Sequence, residues 1–414
     1  MKVLWFEVTV PGKYKNDGTP IGGWQDSLEN IVRKCPDIEL VIAFRGEEGM
    51  EEKNIDGVKY IPLIPLFTRH ERDVLNYIDR NNIAKKVLPL AVQIVRRVSP
   101  DIIQVFGSEW EYGQVQKYTE VPVVLHMQGC IMPYLNTYYA PGFSVADEII
   151  QASWHPRRQR NVRRNQKFLH SWAEMERECF KSVNYYLGRT EWDRHLVELF
   201  HPGAKYFYCS EALRPSFVNG ARIWEPHHRS QLKLVTIGCS NFRKGMDVLL
   251  KAANLLKKKN IDFVWHLCGQ IAWKEMIEKK TGLKFEDNNI VLHGYVSSDD
   301  LVDMLLDSDI YVHPVYLDNS PNSVCEAQYL GMPIIATYVG GVPSLIENGK
   351  EGILVPANHC YEMAYQIMRL ANDKGLQQNL SSATRERALK RHDPNSILKD
   401  LLSCYHSILD GEKK

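Results

Sequence analysis

The chain has 414 residues, 44% hydrophobic and 24% charged, with a formal net charge of +1. That length suits two domains of ordinary size, and that balance excludes a disordered or fibrous protein. A charge near zero argues against nucleic-acid binding, and nine scattered cysteines with no CxxC pair read as reduced thiols, not as a disulfide framework or a zinc site.

The first predicted strand is Lys2–Trp5. Its run MKVLWFEVTV carries Glu7 and lacks a small-residue cleavage site, so it reads as a strand and not as a signal peptide. Gly22 and Gly23 then precede an apolar-periodic helix. Glycines let backbone amides approach a phosphate or a sugar, although a plain loop gives the same pattern. Further strands are predicted at Glu39–Phe44, Ile102–Phe106 and Val121–His126. The segment FGSEWEYG places Glu109 and Glu111 after a strand end, where an acceptor would meet them. His126 stands at the carboxyl end of a buried strand, the edge at which open α/β sheets bind ligands. The plain alternative is a core histidine satisfied internally.

The stretch WHPRRQRNVRRNQKFLH carries Arg157, Arg158, Arg160, Arg163, Arg164 and Lys167, with no acid between Trp154 and Lys167. Arg157, Arg160, Arg164 and Lys167 fall on one helical face. With Trp154 and Phe168 flanking them, they suit anionic lipid headgroups or the phosphates of a lipid-linked acceptor; a solvated helix face is the alternative. No run approaches the roughly 18–20 apolar residues needed to span a bilayer, so membrane contact is expected to be peripheral.

A strand at Tyr185–Gly188 closes the first half. Leu213–Gln231, with two prolines, a glycine and a His-His pair, reads as an interdomain linker. Strands follow at Leu232–Ile237, Val264–Cys268, Ile290–His293, Ile310–Val312, Ile334–Ala336 and Gly352–Val355. Strands alternating with amphipathic helices predict parallel sheets covered on both faces. The last stretch has helical apolar spacing at Ile397, Leu401, Leu402, Tyr405 and Leu409.

Two places in this second half carry chemistry. After the strand ending near Gly238, a short loop holds Arg243, Lys244 and Gly245 before an apolar-faced helix. Fixed cations there would neutralise a diphosphate leaving group, unless they are a solvated pair in a turn. Further on, Asp318 and Glu326 stand with seven residues between them around a helix start, with Ser320 as expected N-cap and Pro321 as expected first helical residue. The amides of Asn322, Ser323 and Val324 would then lack intrahelical partners and offer a diphosphate site, while the two acids suit ribose and hexose hydroxyls. Asp307-Ser308-Asp309 matches a metal-binding DxD string, but it falls at a helix-to-strand junction and is read as structural.

The stretch from Asp318 to Pro356 resembles the donor-binding signature of retaining GT-B glycosyltransferases, above all glycosyltransferase family 4 (group 1). The matching positions are Glu326, Gly331, Pro333, Ile335, Ala336, Gly340, Gly341 and Glu347; the first acid departs, being Asp318 where the family has Glu. Lys244 matches a family lysine, whereas Cys239 stands where the family has an arginine, a place Arg243 would fill. The resemblance is dense from Leu232 to Asp393. It implies an α/β chain with two Rossmann-like parallel-sheet domains facing across a cleft. Residues 1–215 would bind the acceptor, 225–391 the donor, and the helix 392–414 would cross back onto the first domain.

The resemblance also implies a metal-independent hexosyl transfer from a nucleotide-diphosphate sugar, with retention and no cofactor. His126 would lie beside the transferred sugar, Gly22 and Gly23 would line the cleft, and Gly294, Tyr295 and Val296 would neighbour the base. The implied setting is cytoplasmic assembly of a bacterial surface polysaccharide, at the inner face of the plasma membrane. A non-hydrolysing sugar-nucleotide epimerase of the same fold and an inactive nucleotide-sugar binder are the alternatives.

Overall fold

The computed structural model describes residues 1–15, 23–67, 79–151, 155–220, 222–271 and 273–412. The chain divides into two units. The first comprises Met1–Leu135, Ala152–Ala212 and Asp393–Lys414; the second comprises Asn136–Gln151 and Leu213–His392.

In the first unit the strands are β1 (Lys2–Glu7), β2 (Glu39–Arg45), β3 (Lys53–Ile55), β4 (Val58–Leu63), β5 (Ile102–Phe106), β6 (Val123–His126), β7 (Tyr185–Gly188) and β8 (Lys205–Tyr208). They form one sheet in the order β3-β4-β2-β1-β5-β6-β7-β8. All its pairings are parallel except β3 with β4, a hairpin turning at Asp56-Gly57. Strands β3, β4 and β8 are not among those expected: β3 is short and polar, Lys59 and Pro62 interrupt the buried β4, and β8 is short and only half-buried. On β1, Val3 and Trp5 enter one core while Leu4 and Phe6 enter the other. Both faces of the strand are therefore dry, as a parallel sheet covered on two sides requires. The covering helices include α1 (Gly23–Val32), α2 (Arg80–Val98) and α3 (Pro156–Ser182).

The C-terminal helix, Pro394–Glu412, packs Ile397, Leu401, Tyr405 and Ile408 into the Val3–Trp5 core. Tyr405 is fully buried; its hydroxyl accepts from Trp5 Nε1 at 3.1 Å and donates to Gln104 Oε1 at 2.6 Å.

In the second unit the strands are β9 (Leu232–Ile237), β10 (Phe263–Cys268), β11 (Ile290–Gly294), β12 (Ile310–His313), β13 (Ile334–Thr337) and β14 (Ile353–Val355). Their order is β11-β10-β9-β12-β13-β14, all parallel. Helix α4 (Met246–Lys258) buries Val248, Leu249, Ala252 and Leu256 on one side of the sheet. Helices α5 (Ser298–Leu306) and α6 (Asn322–Leu330) pack into the core on the other.

Two segments depart from the expected division. Leu213–Gln231 is not a free linker: Leu213, Phe217 and Trp224 are buried in the second unit, and Trp224 Nε1 donates to Ser308 O at 2.6 Å. Its prolines and polar residues mask three apolar anchors. Residues 136–151 also belong to the second unit, where Tyr139 and Phe143 pack on Phe242 and Lys280 Nζ pairs with Asp147 at 2.7 Å. Nothing in the local sequence marks that excursion.

Tyr405→Phe removes the hydroxyl and leaves the Trp5 indole N–H and the Gln104 carbonyl without it. Urea denaturation should register a loss of about 1–3 kcal/mol.

Candidate active site

In the second unit the chain runs outward on both sides from β9 and β12, which are neighbours in the sheet but not in sequence. Open α/β sheets bind ligands outside the strand carboxyl ends at such a reversal. The loop after β9 brings Arg243 and Lys244 there, and the loop after β12 brings Asp318. Lys244 Nζ lies 2.6 Å from Asp318 Oδ2, and Arg243 Nη1 lies 3.5 Å from Asp318 Oδ1 and donates to Leu317 O at 3.0 Å. His313, the last residue of β12, places Nε2 3.4 Å from Asp318 Oδ2. Burial by itself would raise the Asp318 carboxyl. Lys244, the His313 hydrogen bond and Arg243 outweigh it and hold the group well below the usual carboxylate range. Burial lowers His313, and Asp318 opposes that.

Two glycines let these loops approach. Gly245 has φ +70°, and a Cβ there would lie 1.9 Å from Pro314 O. Gly340 has φ +51°, and a Cβ there would lie 2.0 Å from Asp318 O, the atom that accepts the Gly341 amide at 3.0 Å. The Gly-Gly turn after β13 thus clamps the backbone of the buried acid.

Helix α6 starts one residue later than the sequence suggested. Its N-cap is Pro321, with no side-chain cap bond, and Asn322 is its first residue. The Val324 amide is not free either, since it donates to Pro321 O at 2.9 Å. A proline carbonyl at the cap does what the Ser320 side chain was expected to do. Among the described residues no acceptor takes the Asn322 or Ser323 amide, and Asn322 Oδ1 is buried without a partner.

Glu326 lies on α6 with 1% of its side chain exposed. Both oxygens are held by Arg214: Nε to Oε1 and Nη2 to Oε2, each at 2.7 Å. Burial raises the Glu326 carboxyl, and Arg214 opposes the rise. Gly294, Tyr295 and Val296 lie at the end of β11, with Gly294 at φ +65° and Tyr295 79% exposed. Cys239 is buried in the core, donates to Cys268 O at 3.6 Å, and is pushed up to about 12 by burial. Asp307 and Asp309 precede β12, at its amino end. Asp307 pairs with Arg229 at 2.9 Å and with Lys233 at 2.6 Å, and Asp309 lies 3.3 Å from Arg229.

The first unit reverses its strand order between β1 and β5. Glu7 ends β1 and Glu109 follows β5; each keeps one buried carboxylate oxygen without a partner among the described residues. Burial pushes Glu109 up to about 7, Glu176 adding to the shift and Arg189 opposing it. Burial, reinforced by Glu29 and Asp26, raises Glu7 well above the carboxylate range. Glu111, by contrast, is locked in the interior by Arg45 and sits 3.8 Å from Arg80. His126 ends β6 fully buried between Trp24 and Phe106, with ring centroids at 4.7 and 5.7 Å. Because Gln104 Oε1 accepts from Tyr405, its amide nitrogen faces His126 Nδ1 at 3.3 Å, which assigns the ring proton to Nε2. Burial, helped by Arg189, lowers His126 to about 3, so the ring is neutral. Gly23 opens α1 at φ +59°, and Gly22 lies outside the described residues.

Sequence reasoning passed over His313 and Arg214. The strand-end logic applied to His126 would have found His313 in IYVHP. No local signal marks Arg214, which meets Glu326 across 112 residues of chain.

Residues 225–387, which include Lys244, Asp318 and Glu326, match the family of glycosyl transferases group 1. The match falls within the second unit. The chain is also similar to a putative colanic acid biosynthesis glycosyltransferase, WcaL, of Salmonella typhimurium, at 23% identity over 184 residues, 43% of this chain and 45% of that one. The chain thus spans under half the length of that curated relative. Among solved structures, sucrose-phosphate synthase from Thermosynechococcus elongatus matches with a TM-score of 0.70 and 14% identity over 99% of this chain and 100% of that one. Anabaena HepE in complex with UDP and glucose matches with a TM-score of 0.64 and 14% identity over 98% and 100%. The fold is GT-B.

Gly340→Ala should displace the Asp318 loop, because it adds a backbone clash to an unfavourable φ. Gly349 has φ +81° with nothing within 4 Å of a Cβ, so Gly349→Ala isolates the cost of the dihedral alone. Chemical denaturation should show Gly340→Ala less stable than that control by about 1–3 kcal/mol.

Proposed function

We propose that this protein is a retaining glycosyltransferase that moves a hexosyl unit from a nucleotide-diphosphate sugar to a glycan or lipid-linked acceptor in bacterial surface-polysaccharide assembly. The observation that carries the reading is the arrangement after β9 and β12 in the family-matched unit: two cations and two unclaimed helix amides around a buried carboxylate. A diphosphate needs fixed positive charge, and a sugar needs a hydroxyl acceptor; this arrangement supplies both. The polysaccharide setting rests on the WcaL relative, and the nucleotide sugar on the UDP and glucose held by HepE.

In this proposal Lys244 and Arg243, with the amides of Asn322 and Ser323, bind the donor diphosphate. Asp318 accepts from the sugar and Glu326 from the ribose. The base lies by Gly294, Tyr295 and Val296. The bond from the anomeric carbon to the diphosphate oxygen breaks, and the acceptor oxygen bonds to that carbon on the same face. The departing phosphate oxygen takes the acceptor proton. Charge on the leaving group is met by Lys244, Arg243 and the helix amides, so no metal is required. His126, neutral and buried, contributes hydrogen bonding and not a proton, beside the transferred sugar. Gly22 and Gly23 remain assigned to the backbone wall near the sugar.

The acceptor side of the proposal includes the membrane. Arg157, Arg160 and Lys167 are exposed on α3 and Arg164 is half-buried; among the described residues no carboxylate pairs with any of the four. No helix of the described residues is long and apolar enough to cross a membrane. The reading therefore puts the enzyme in the cytoplasm, held reversibly at the inner face of the plasma membrane by this basic face.

Release of nucleoside diphosphate from nucleotide sugars, followed with EDTA present, tests the reaction. Lys244→Ala should slow that release by roughly 10²-fold if the lysine is preorganised for the leaving group. Equal turnover in the variant removes Lys244 from the site, and loss of wild-type activity in EDTA, restored by magnesium, overturns the metal-free account. An isomerised nucleotide sugar with no diphosphate released identifies an epimerase, and binding without turnover an inactive binder.

Liposome co-sedimentation tests the basic face. Changing Arg157, Arg160, Arg164 and Lys167 to Gln should abolish binding to anionic vesicles at low salt, and added salt should weaken binding of the parent. Equal sedimentation of parent and variant makes the face a solvated one and favours a soluble acceptor.

A further inference from the structure

Glu326 does not act alone. Its side chain is 1% exposed, while that of Arg214 is 22% exposed, so the guanidinium is the outer member of the pair. A carboxylate buried to this degree without a cation takes up a proton instead of remaining charged. Arg214 supplies the cation in the strongest form available, two parallel N–H bonds that fix both the charge and the plane of the carboxylate.

Arg214 is itself held. Nη1 donates to Ser298 Oγ at the start of α5 at 2.8 Å, and the guanidinium sits 5.0 Å from the Phe217 ring. The pair therefore joins three elements of one unit: the segment before Pro215, the start of α5 and the second acid on α6. Each carboxylate oxygen has two lone pairs, and Arg214 takes the inner one of each, which leaves one outward acceptor site per oxygen in a fixed plane. Such a site fits a single sugar hydroxyl.

We infer that Arg214 is a positioning residue of the donor site, and that the Arg214–Glu326 pair, not the lone carboxylate, recognises a ribose hydroxyl of the nucleotide. This rests on the reading of the second unit as a nucleotide-sugar site. The groups that face Glu326 are few. Arg214 comes from the segment before Pro215, and Tyr311 comes from β12, kept neutral by burial. No second cation is among the groups that shift the Glu326 carboxyl, so removing Arg214 leaves the acid with burial alone. Its carboxyl then rises further, and the ionised form is lost as pH falls through the raised value. With Arg214 present, the carboxylate stays ionised down to a lower pH.

The test measures calorimetric affinities of the full chain for UDP, GDP and ADP and for their 2′-deoxy counterparts, from pH 6 to pH 9. The ratio of ribose to deoxyribose affinity cancels the titration of the diphosphate, which both forms share. Wild-type protein should favour the ribose form by roughly tenfold, with a ratio that depends less on pH than that of Arg214→Gln. Arg214→Gln should bring the ratio to about one at pH 6 and recover part of it as pH rises. Arg214→Lys keeps a point charge but not the fork, so it should retain an intermediate ratio; should Arg214→Gln fail to fold, a ratio in Arg214→Lys equal to that of wild type overturns the inference. A wild-type ratio that persists unchanged in Arg214→Gln, or tighter ribose binding on removing the arginine, also overturns it while leaving the donor site standing. If the wild-type protein binds none of these nucleotides, or binds both sugar forms equally, the assignment of Glu326 to ribose falls, and this inference with it.

Discussion

The second unit is organised around one buried negative charge. Asp318 is 8% exposed and would be neutral if burial acted unopposed. It stays ionised because two loops and a strand end converge on it: Lys244 and Arg243 from the β9 loop, His313 from β12, and the Gly340–Gly341 turn on its carbonyl. Fixed positive charge has to be held in place: the carboxylate holds the two cations, and the cations keep the carboxylate charged. The glycines at 245 and 340 follow from this requirement, since a side chain at either position would occupy the space of a backbone oxygen.

The two acids of the donor signature are held in different ways. Asp318 meets two separate cations, one of them the point charge of Lys244, which can turn to an incoming phosphate. Glu326 meets a bidentate arginine, which cannot be withdrawn without exposing a buried charge, a change that costs several kcal/mol in comparable pairs. The first arrangement suits a group whose partners change during a reaction. The second suits fixed recognition. The Cys239 side chain turns into the core, and Arg243, four residues further on, reaches the Asp318 loop.

The first unit presents a different chemistry at its own strand reversal. Glu7 and Glu109 are carboxyls pushed toward the neutral form, and His126 is an imidazole held neutral among aromatic rings. Neutral donors and acceptors recognise hydroxyl groups without attracting counter-ions, as a glycan acceptor would need. The link from Trp5 through Tyr405 and Gln104 to His126 ties that strand end to the C-terminal helix. The last turns of the chain thereby fix the orientation of the histidine ring.

The sequence by itself determined the alternation of strand and helix, the covered parallel sheets, and the placement of Lys244 and Asp318 in loops after strand ends and of Glu326 on a helix, because strand-end loops and helix starts are local features with local signatures. It also placed Asp307 and Asp309 at a structural junction, where cations from Arg229 and Lys233 hold them. Tertiary structure alone decided who partners whom. The helix start moved to Asn322 because a backbone carbonyl, not the Ser320 hydroxyl, met the Val324 amide. The presumed linker became core because Leu213, Phe217 and Trp224 found an apolar surface far along the chain. Arg214 met Glu326 from 112 residues away in the chain. Charge pairing and burial depend on residues distant in sequence, and no periodicity or spacing in the chain encodes those meetings.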